Sequence, residues 1–165
     1  MRRLLKICIA LTIIVSGFSF QKIGNSVTNE PSVSAHFDSI STWDRIYTTV
    51  TISNNTPDTI RYYSMTCSFS DFFTCDNKEI GVYMIPCDKN WYKKITLAPN
   101  ESEVLRLELK SSVEWKKLES VKLRIGFIFV NAKNARVNAP FDINRIENER
   151  KSKGNIIWSN TIEIK

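Results

Sequence analysis

The stretch RIYTTVTIS, residues 45–53, alternates with a period of two, and this pattern constrains the fold more than any other feature of the chain. Ile46, Thr48, Val50 and Ile52 share one face, while Tyr47, Thr49 and Thr51 take the other. Successive side chains of a strand point to opposite faces, and β-branched residues suit a pleated, half-buried surface. The stretch therefore reads as a strand, and NNTPDT behind it supplies turn chemistry. TIRYYSMTCSF alternates next and sets Tyr63, Met65, Cys67 and Phe69 on one side. EIGVYMIP, ITL, EVLRLELK and VKLRIGFIFV continue the series, and NIIWSNTIEIK closes the chain. Leu105, Leu107 and Leu109 form one inward face; Val121, Leu123, Ile125, Phe127 and Phe129 form another. Ile128 and Val130 are apolar as well, so that strand is expected to be covered on both sides.

About seven to nine short strands separated by turn signals predict an all-β fold, a two-sheet antiparallel β-sandwich. One helical turn is expected near 112–119, where Ser111 can cap and Glu114 can answer it three residues later. Residues 131–154 form a long, Asn-, Lys- and Arg-rich loop, inside which a short helix is expected from near Asp142 to before Gly154. Loops of that length are either solvated extensions or binding loops, and Arg136, Phe141 and Arg145 are the candidate contacts for the second case.

The first twenty residues, MRRLLKICIALTIIVSGFSF, have the layout of a secretory signal. Arg2, Arg3 and Lys6 precede an apolar run from Ile7 to Val15, and small residues follow at 16, 17 and 19. The run is too short to span a bilayer, so cleavage near 17–20, export and no stable membrane span are expected. Residues 21–30 form a loose lead-in, and 31–165 form a single domain. Loss of the segment takes the formal charge from +6 to +3, because it carries three cations and no acid. So small a surplus, with no dense basic cluster, gives no reason to expect nucleic acid as a partner.

Three cysteines then remain, at 67, 75 and 87 in CSFSDFFTCDNKEIGVYMIPC. An oxidising compartment favours a disulfide. A hairpin centred on Asn77 sets Cys67 opposite Cys87 and leaves Cys75 a free thiol beside the turn. SDFF interrupts the alternation, and a shifted register would pair Cys75 with Cys87 instead. A different reading gathers Met65, Cys67, Cys75, Met84 and Cys87 as soft ligands for copper. Against it, no short C-x-x-C pair is present, and the lone histidine is distant in sequence.

That histidine, His36, alternates with Val33, Ala35 and Phe37 and should point outward on an edge strand. No G-x-S-x-G turn, P-loop, Gly-rich dinucleotide turn or H-E-x-x-H accompanies it. The acids are scattered, so no carboxylate pair suggests a glycosidase. The expectation is a non-enzymatic domain without a cofactor.

The pieces M-T-C-S-F at 65–69, C-D-K-N at 87–90 and I-T-L-A-P-N-E at 95–101 are similar to exported β-sandwich proteins of Gram-negative envelopes. T-V-T-I-S-N-N-T followed by L-A-P-N-E also resembles bacterial immunoglobulin-like domains, including the bacterial intracellular protease-inhibitor type. The resemblance covers about residues 45–130. It implies an immunoglobulin-like sandwich, with Asn100 at a left-handed turn position where glycine is commoner, and it carries no catalytic residues. The partner expected of such a module is a protein or glycan of the envelope. It would be met by a sheet edge, a loop, or the aromatic set Trp43, Tyr62, Tyr63, Trp91 and Tyr92. Ser39 and Thr59 lie in D-S-I and D-T-I tripeptides that resemble O-glycan attachment sites, and Asn54 and Asn100 begin N-glycan sequons.

Overall fold

The computed structural model describes residues 30–41, 45–84, 86–113, 120–132 and 143–164. The signal segment, most of the turn expected near 112–119, and Trp43, Arg136 and Phe141 lie outside the described residues.

The chain forms an all-β, antiparallel sandwich. Its first strands are β1 (Ser32–Ile40), β2 (Arg45–Ser53) and β3 (Ile60–Met65), then a 3-10 turn (Phe69–Phe72) and β4 (Phe73–Cys75). β5 (Ile80–Val82), β6 (Tyr92–Leu97) and β7 (Ser102–Ser111) follow. β8 (Val121–Leu123), β9 (Ile125–Ile128), helix α1 (Ile143–Ser152), β10 (Ile156–Trp158) and β11 (Ile162–Ile164) complete the order. Several of these eleven are pieces of longer lines: the 3-10 turn separates β3 from β4, Arg124 separates β8 from β9, and Ser159–Thr161 separates β10 from β11. Joined across those breaks they make eight lines, within the expected number.

One layer is the sheet β1-β2-β7-β5. The other is built around β9, flanked by β10 and β4. β3 continues the β4 line: Tyr62 bridges Asn131, and the Tyr63 N–H donates to the Val130 carbonyl at 3.0 Å. β6 pairs on the outer side of β3, and β8 pairs with β11.

The alternation in β2 is realised in the packing, since Ile46, Thr48, Val50 and Ile52 are all buried and its other positions are not. Leu107 and Leu109 of β7 lie opposite Thr48 and Ile46 in register and are buried too. From the second layer Tyr62 meets Phe127 edge-on at 5.1 Å, and Phe73 meets Phe127 at 5.2 Å. The Tyr62 hydroxyl donates to the Glu103 carboxylate of β7, a polar tie between the layers. Burial first, then the Glu103 hydrogen bond and charge, hold this phenol protonated well above its ordinary range.

Tyr62 packs inside, and Tyr63, on the side it was expected to share with Met65, is buried on the outer face, with Arg145 of α1 above its ring. α1 is the reason. Ile146 is fully buried, the Tyr92 hydroxyl bonds Glu147, and Arg150 reaches the Asp71 carbonyl. The helix thus covers the outside of the second layer, where Ile128 and Val130 are buried as the doubly apolar pattern required. Gly126 lies against the neighbouring strands, where a Cβ would meet Ile156 at 2.6 Å and Trp158 at 2.9 Å.

The two sequence pieces that carried the resemblance meet at Asn54. Its amide donates to the carbonyls of Asp58, Leu97 and Ala98, and its Oδ1 accepts from Thr56. Its own N–H donates to the Glu101 carbonyl, and the Asn100 N–H donates to its carbonyl. A fully buried side-chain amide is stable only when its donors and acceptor are matched, as they are here. Asn100 has φ 64°, the left-handed position expected of it. Burial also makes Asn54 unavailable as a glycan acceptor.

Candidate functional site

The sheet β1-β2-β7-β5 ends in two edges, and the chain treats them differently. At β1 the side chain of Asn160, from the β10–β11 connection, behaves like a strand residue. It accepts from the Ala35 N–H at 2.8 Å and donates to the Ala35 carbonyl at 3.0 Å. That edge is closed at its centre.

At β5, among the described residues, no strand pairs with the side away from β7. Ser112 N–H donates to the Glu79 carbonyl and Tyr83 N–H to the Glu108 carbonyl, so residues 79, 81 and 83 use their backbone groups on β7. Hydrogen-bonding direction alternates along an antiparallel strand. The N–H and C=O groups of Ile80 and Val82 therefore point away from β7.

They point toward β4, and this overturns the expected hairpin. Residues 73–75 and 80–82 flank a short turn, but β4 pairs with β9 and β5 pairs with β7. The turn is held by Asp76, whose carboxylate takes the Arg124 N–H at 2.7 Å and the Arg124 guanidinium at 2.8 Å. Burial opposes ionisation there, but the Arg124 hydrogen bonds and charge outweigh it and hold the Asp76 carboxyl below its ordinary range. Asn77 accepts from the Glu79 N–H and stiffens the same turn.

Beside these two strands and the last turn of α1 lies a cleft of about 1030 Å³. Its walls carry Lys78, Lys110, Arg150, Lys151 and Lys153 against two carboxylates, Asp71 and Glu79. Arg150 and Lys151 sit where the helix dipole favours cations. Arg150 is held by Glu147 at 2.7 Å, and Lys151 lies 3.8 Å from the same carboxylate. Among the described residues Lys78, Lys110 and Lys153 have no carboxylate partner. The Arg150 Nε is buried and has no acceptor among the described residues. Asp71 is raised from its ordinary value by burial, with Arg150 opposing and Glu147 reinforcing the shift.

Cys75 lies in the cleft wall as a free thiol. Burial, aided by the Asp76 charge, pushes it up to about 12. A thiol this far above neutrality is protonated and a poor nucleophile. Cys67 and Cys87 are joined, with Cα atoms 6.2 Å apart. The pairing is the expected one, but the path is not: Cys87 follows β5 and returns to the end of β3, where Asn90 and Trp91 bond the backbone of Thr66 to Ser68.

The soft ligands are not gathered. Two sulfurs are in the disulfide, Met65 accepts from the Asn90 amide, and Met84 is exposed at the cleft. No group of three His, Cys, Asp or Glu is placed to hold a metal among the described residues. Of the loop candidates, Arg145 lies on α1 and pairs with Glu149. Of the aromatic set, Tyr62 and Tyr63 are core, Tyr92 packs on Phe72, and Trp91 is 72% exposed. His36 is exposed on β1. Sequence reading missed Lys78 and Lys110, because their convergence depends on β5 choosing β7. Arg150, Lys151 and Lys153 were visible as the run N-E-R-K-S-K-G.

No family model matches the chain. No curated protein matches it either. Among solved structures it is similar to a FixG-related protein from Vibrio parahaemolyticus, at 15% identity and a TM-score of 0.40, with 83% of this chain and 96% of that chain covered. A likeness that distant carries no argument about activity or partner.

Proposed function

We propose that this chain is an exported, non-enzymatic β-sandwich module that binds a protein or glycan partner in the cell envelope through the cleft beside β5. The observation that carries the reading is the β5 edge, unpaired among the described residues and lying in the wall of a basic cleft, in a sheet whose other edge is closed by Asn160. Unpaired edges attract partners, and natural sandwiches usually cover or blunt them. Export is supported by the basic, then apolar, N-terminal segment together with the Cys67–Cys87 disulfide. The non-enzymatic reading is supported by the exposure of His36 on β1 and the protonated state of the cleft thiol.

The test is site-directed photocrosslinking in intact cells. A photoreactive residue replaces Gly81, where a Cβ meets nothing within 4 Å, or Ser34 on the closed edge. Adducts in the envelope fraction from position 81 and not from 34 are expected. Adducts from 34 alone, or a chain retained in the cytoplasm with its first twenty residues intact, would overturn the reading.

A further inference from the structure

We infer that the occupant of the cleft beside β5 is an acid-bearing saccharide, a short oligosaccharide with carboxylate or phosphate groups on successive sugars. The inference rests on the binding reading above and names the partner's chemistry.

Charge supplies the first argument. The cleft walls carry five cations and two carboxylates. Without its first twenty residues the chain holds a formal surplus of +3, and the cleft alone accounts for it. The rest of that chain is balanced, so the positive field is concentrated here. The cations stand on separate elements: Lys78 follows β4, Lys110 lies on β7, and Arg150, Lys151 and Lys153 mark the end of α1. Arg150 and Lys151 share Glu147, and Lys153 donates to the Thr74 hydroxyl. Lys78 and Lys110 have no such partner among the described residues. Cations so dispersed suit a ligand with several separated acid groups better than a single phosphate ion.

Hydrogen bonding supplies the second argument. Asn77 accepts the Glu79 N–H at its Oδ1, and its amide donors have no acceptor among the described residues. Ser111 accepts the Val113 N–H and keeps its own hydroxyl proton to donate. With the two lysines, these groups give the cleft a surplus of donors, which a ligand rich in acceptors would match. Acid oxygens meet the ammonium groups, and ring and hydroxyl oxygens meet the neutral donors.

Shape separates a saccharide from an acidic peptide. A volume of about 1030 Å³ lies at the top of the range for small-molecule sites and admits a short oligosaccharide. Val82, Tyr83 and Met84 also line the cleft and offer apolar surface to the C–H faces of sugar rings. β4 lies close beside β5, which leaves no room between them for the added strand through which sheet edges take peptides.

The test is an NMR titration of the isotope-labelled mature protein with a trisaccharide of galacturonic acid, its methyl ester, and triglutamate. The uronic trisaccharide should shift the Gly81, Ser111 and Ser112 amides, leave Ala35 unmoved, and bind more weakly as salt rises. The ester keeps the rings without the charges and should bind about tenfold more weakly. Triglutamate, with the same net charge, should bind more weakly than the trisaccharide. Lys78→Gln and Lys110→Gln should each weaken the trisaccharide about two- to fivefold. Lys122→Gln, at an exposed position of β8 outside the cleft, removes the same charge and should leave binding unchanged. Equal binding of the ester, or an equal loss in Lys122→Gln, would overturn the acid-bearing ligand. Triglutamate binding as tightly as the trisaccharide would overturn the saccharide. Cleft amides unmoved by the trisaccharide at millimolar concentration would overturn the inference outright. Adducts from position 81 would leave the binding reading standing in each of these cases, and their absence would sink it separately.

Discussion

The two edges of the β1-β2-β7-β5 sheet offer the same backbone chemistry and meet opposite treatment. At β1 one asparagine, delivered from the β10–β11 connection, occupies both the donor and the acceptor of Ala35. At β5 the corresponding groups of Ile80 and Val82 face a basic cleft. A sandwich must manage its edges to avoid indiscriminate pairing. Here the edge left unpaired among the described residues is three residues long, lies beside five cations and two carboxylates, and is fastened beyond its end by a disulfide. Like charges around it repel basic strands and select against a second copy of the same edge. A polar side chain closes one edge; short length, charge and a covalent staple guard the other.

That contrast can be broken in four ways, the strongest first. Replacing Cys67 and Cys87 together by serine frees the segment behind β5, a closed loop of 20 residues in separation. The loss expected for a loop of that size is about 3 kcal/mol, read as a lower urea midpoint. Asn160→Ala strips both partners from Ala35 and should cost about 2 kcal/mol, with new self-association on size-exclusion chromatography because a second edge opens. A matched pair of prolines sharpens the comparison. Ala35→Pro deletes an N–H bonded to Asn160, whereas Val82→Pro deletes one with no partner among the described residues, so the first variant should be less stable than the second by about 1 kcal/mol.

The smallest effect is a pH dependence. The Cys75 thiol has an ordinary value of 9.0 and is pushed up to about 12 in the folded chain, by burial first and by Asp76 second. Below pH 9 both folded and unfolded chains hold the proton, and the contribution is fully present. Between about 9 and 12 the unfolded chain loses the proton first, so stability falls as pH rises. Urea midpoints from pH 8 to 10.5 should decline more steeply for the parent chain than for Cys75→Ser. In the same range the native thiol should resist iodoacetamide until urea exposes it.

How much of this was legible depends on how local the cause is. The period-two faces of β2 and β7 follow from side-chain alternation alone, and burial at Ile46, Val50, Leu107 and Leu109 obeys it. The helix inside the long loop was legible from its flanks, and α1 spans Ile143–Ser152. The double burial of Ile128 and Val130 then follows from that helix. The disulfide was legible for a partly mistaken reason. A hairpin register did put Cys67 opposite Cys87, but the residues between them form a 3-10 turn and two strands of different sheets. Whether β5 pairs with β4 or with β7 is a contest between a near neighbour and a strand some thirty positions away. Local pattern does not decide it, since Ile80 and Val82 offer an inward face to either partner. The convergence of Lys78 and Lys110 on the cleft depends on the distant partner having won, so it was beyond reach of the sequence. The clamp at Asn54 shows the reverse case. Its two turns were visible as separate motifs, and the buried amide that joins them is what the motifs are for.

Native-state hydrogen exchange, resolved by residue, tests the central claim most directly. If the two edges differ as described, the Ala35 amide is protected along with Gly81 and Tyr83, and the Val82 amide between them exchanges rapidly. Asn160→Ala should release Ala35 and leave Val82 unchanged. Protection of Val82 equal to that of its neighbours in the isolated protein would contradict an open β5 edge. Undiminished protection of Ala35 in Asn160→Ala would contradict the closure of β1.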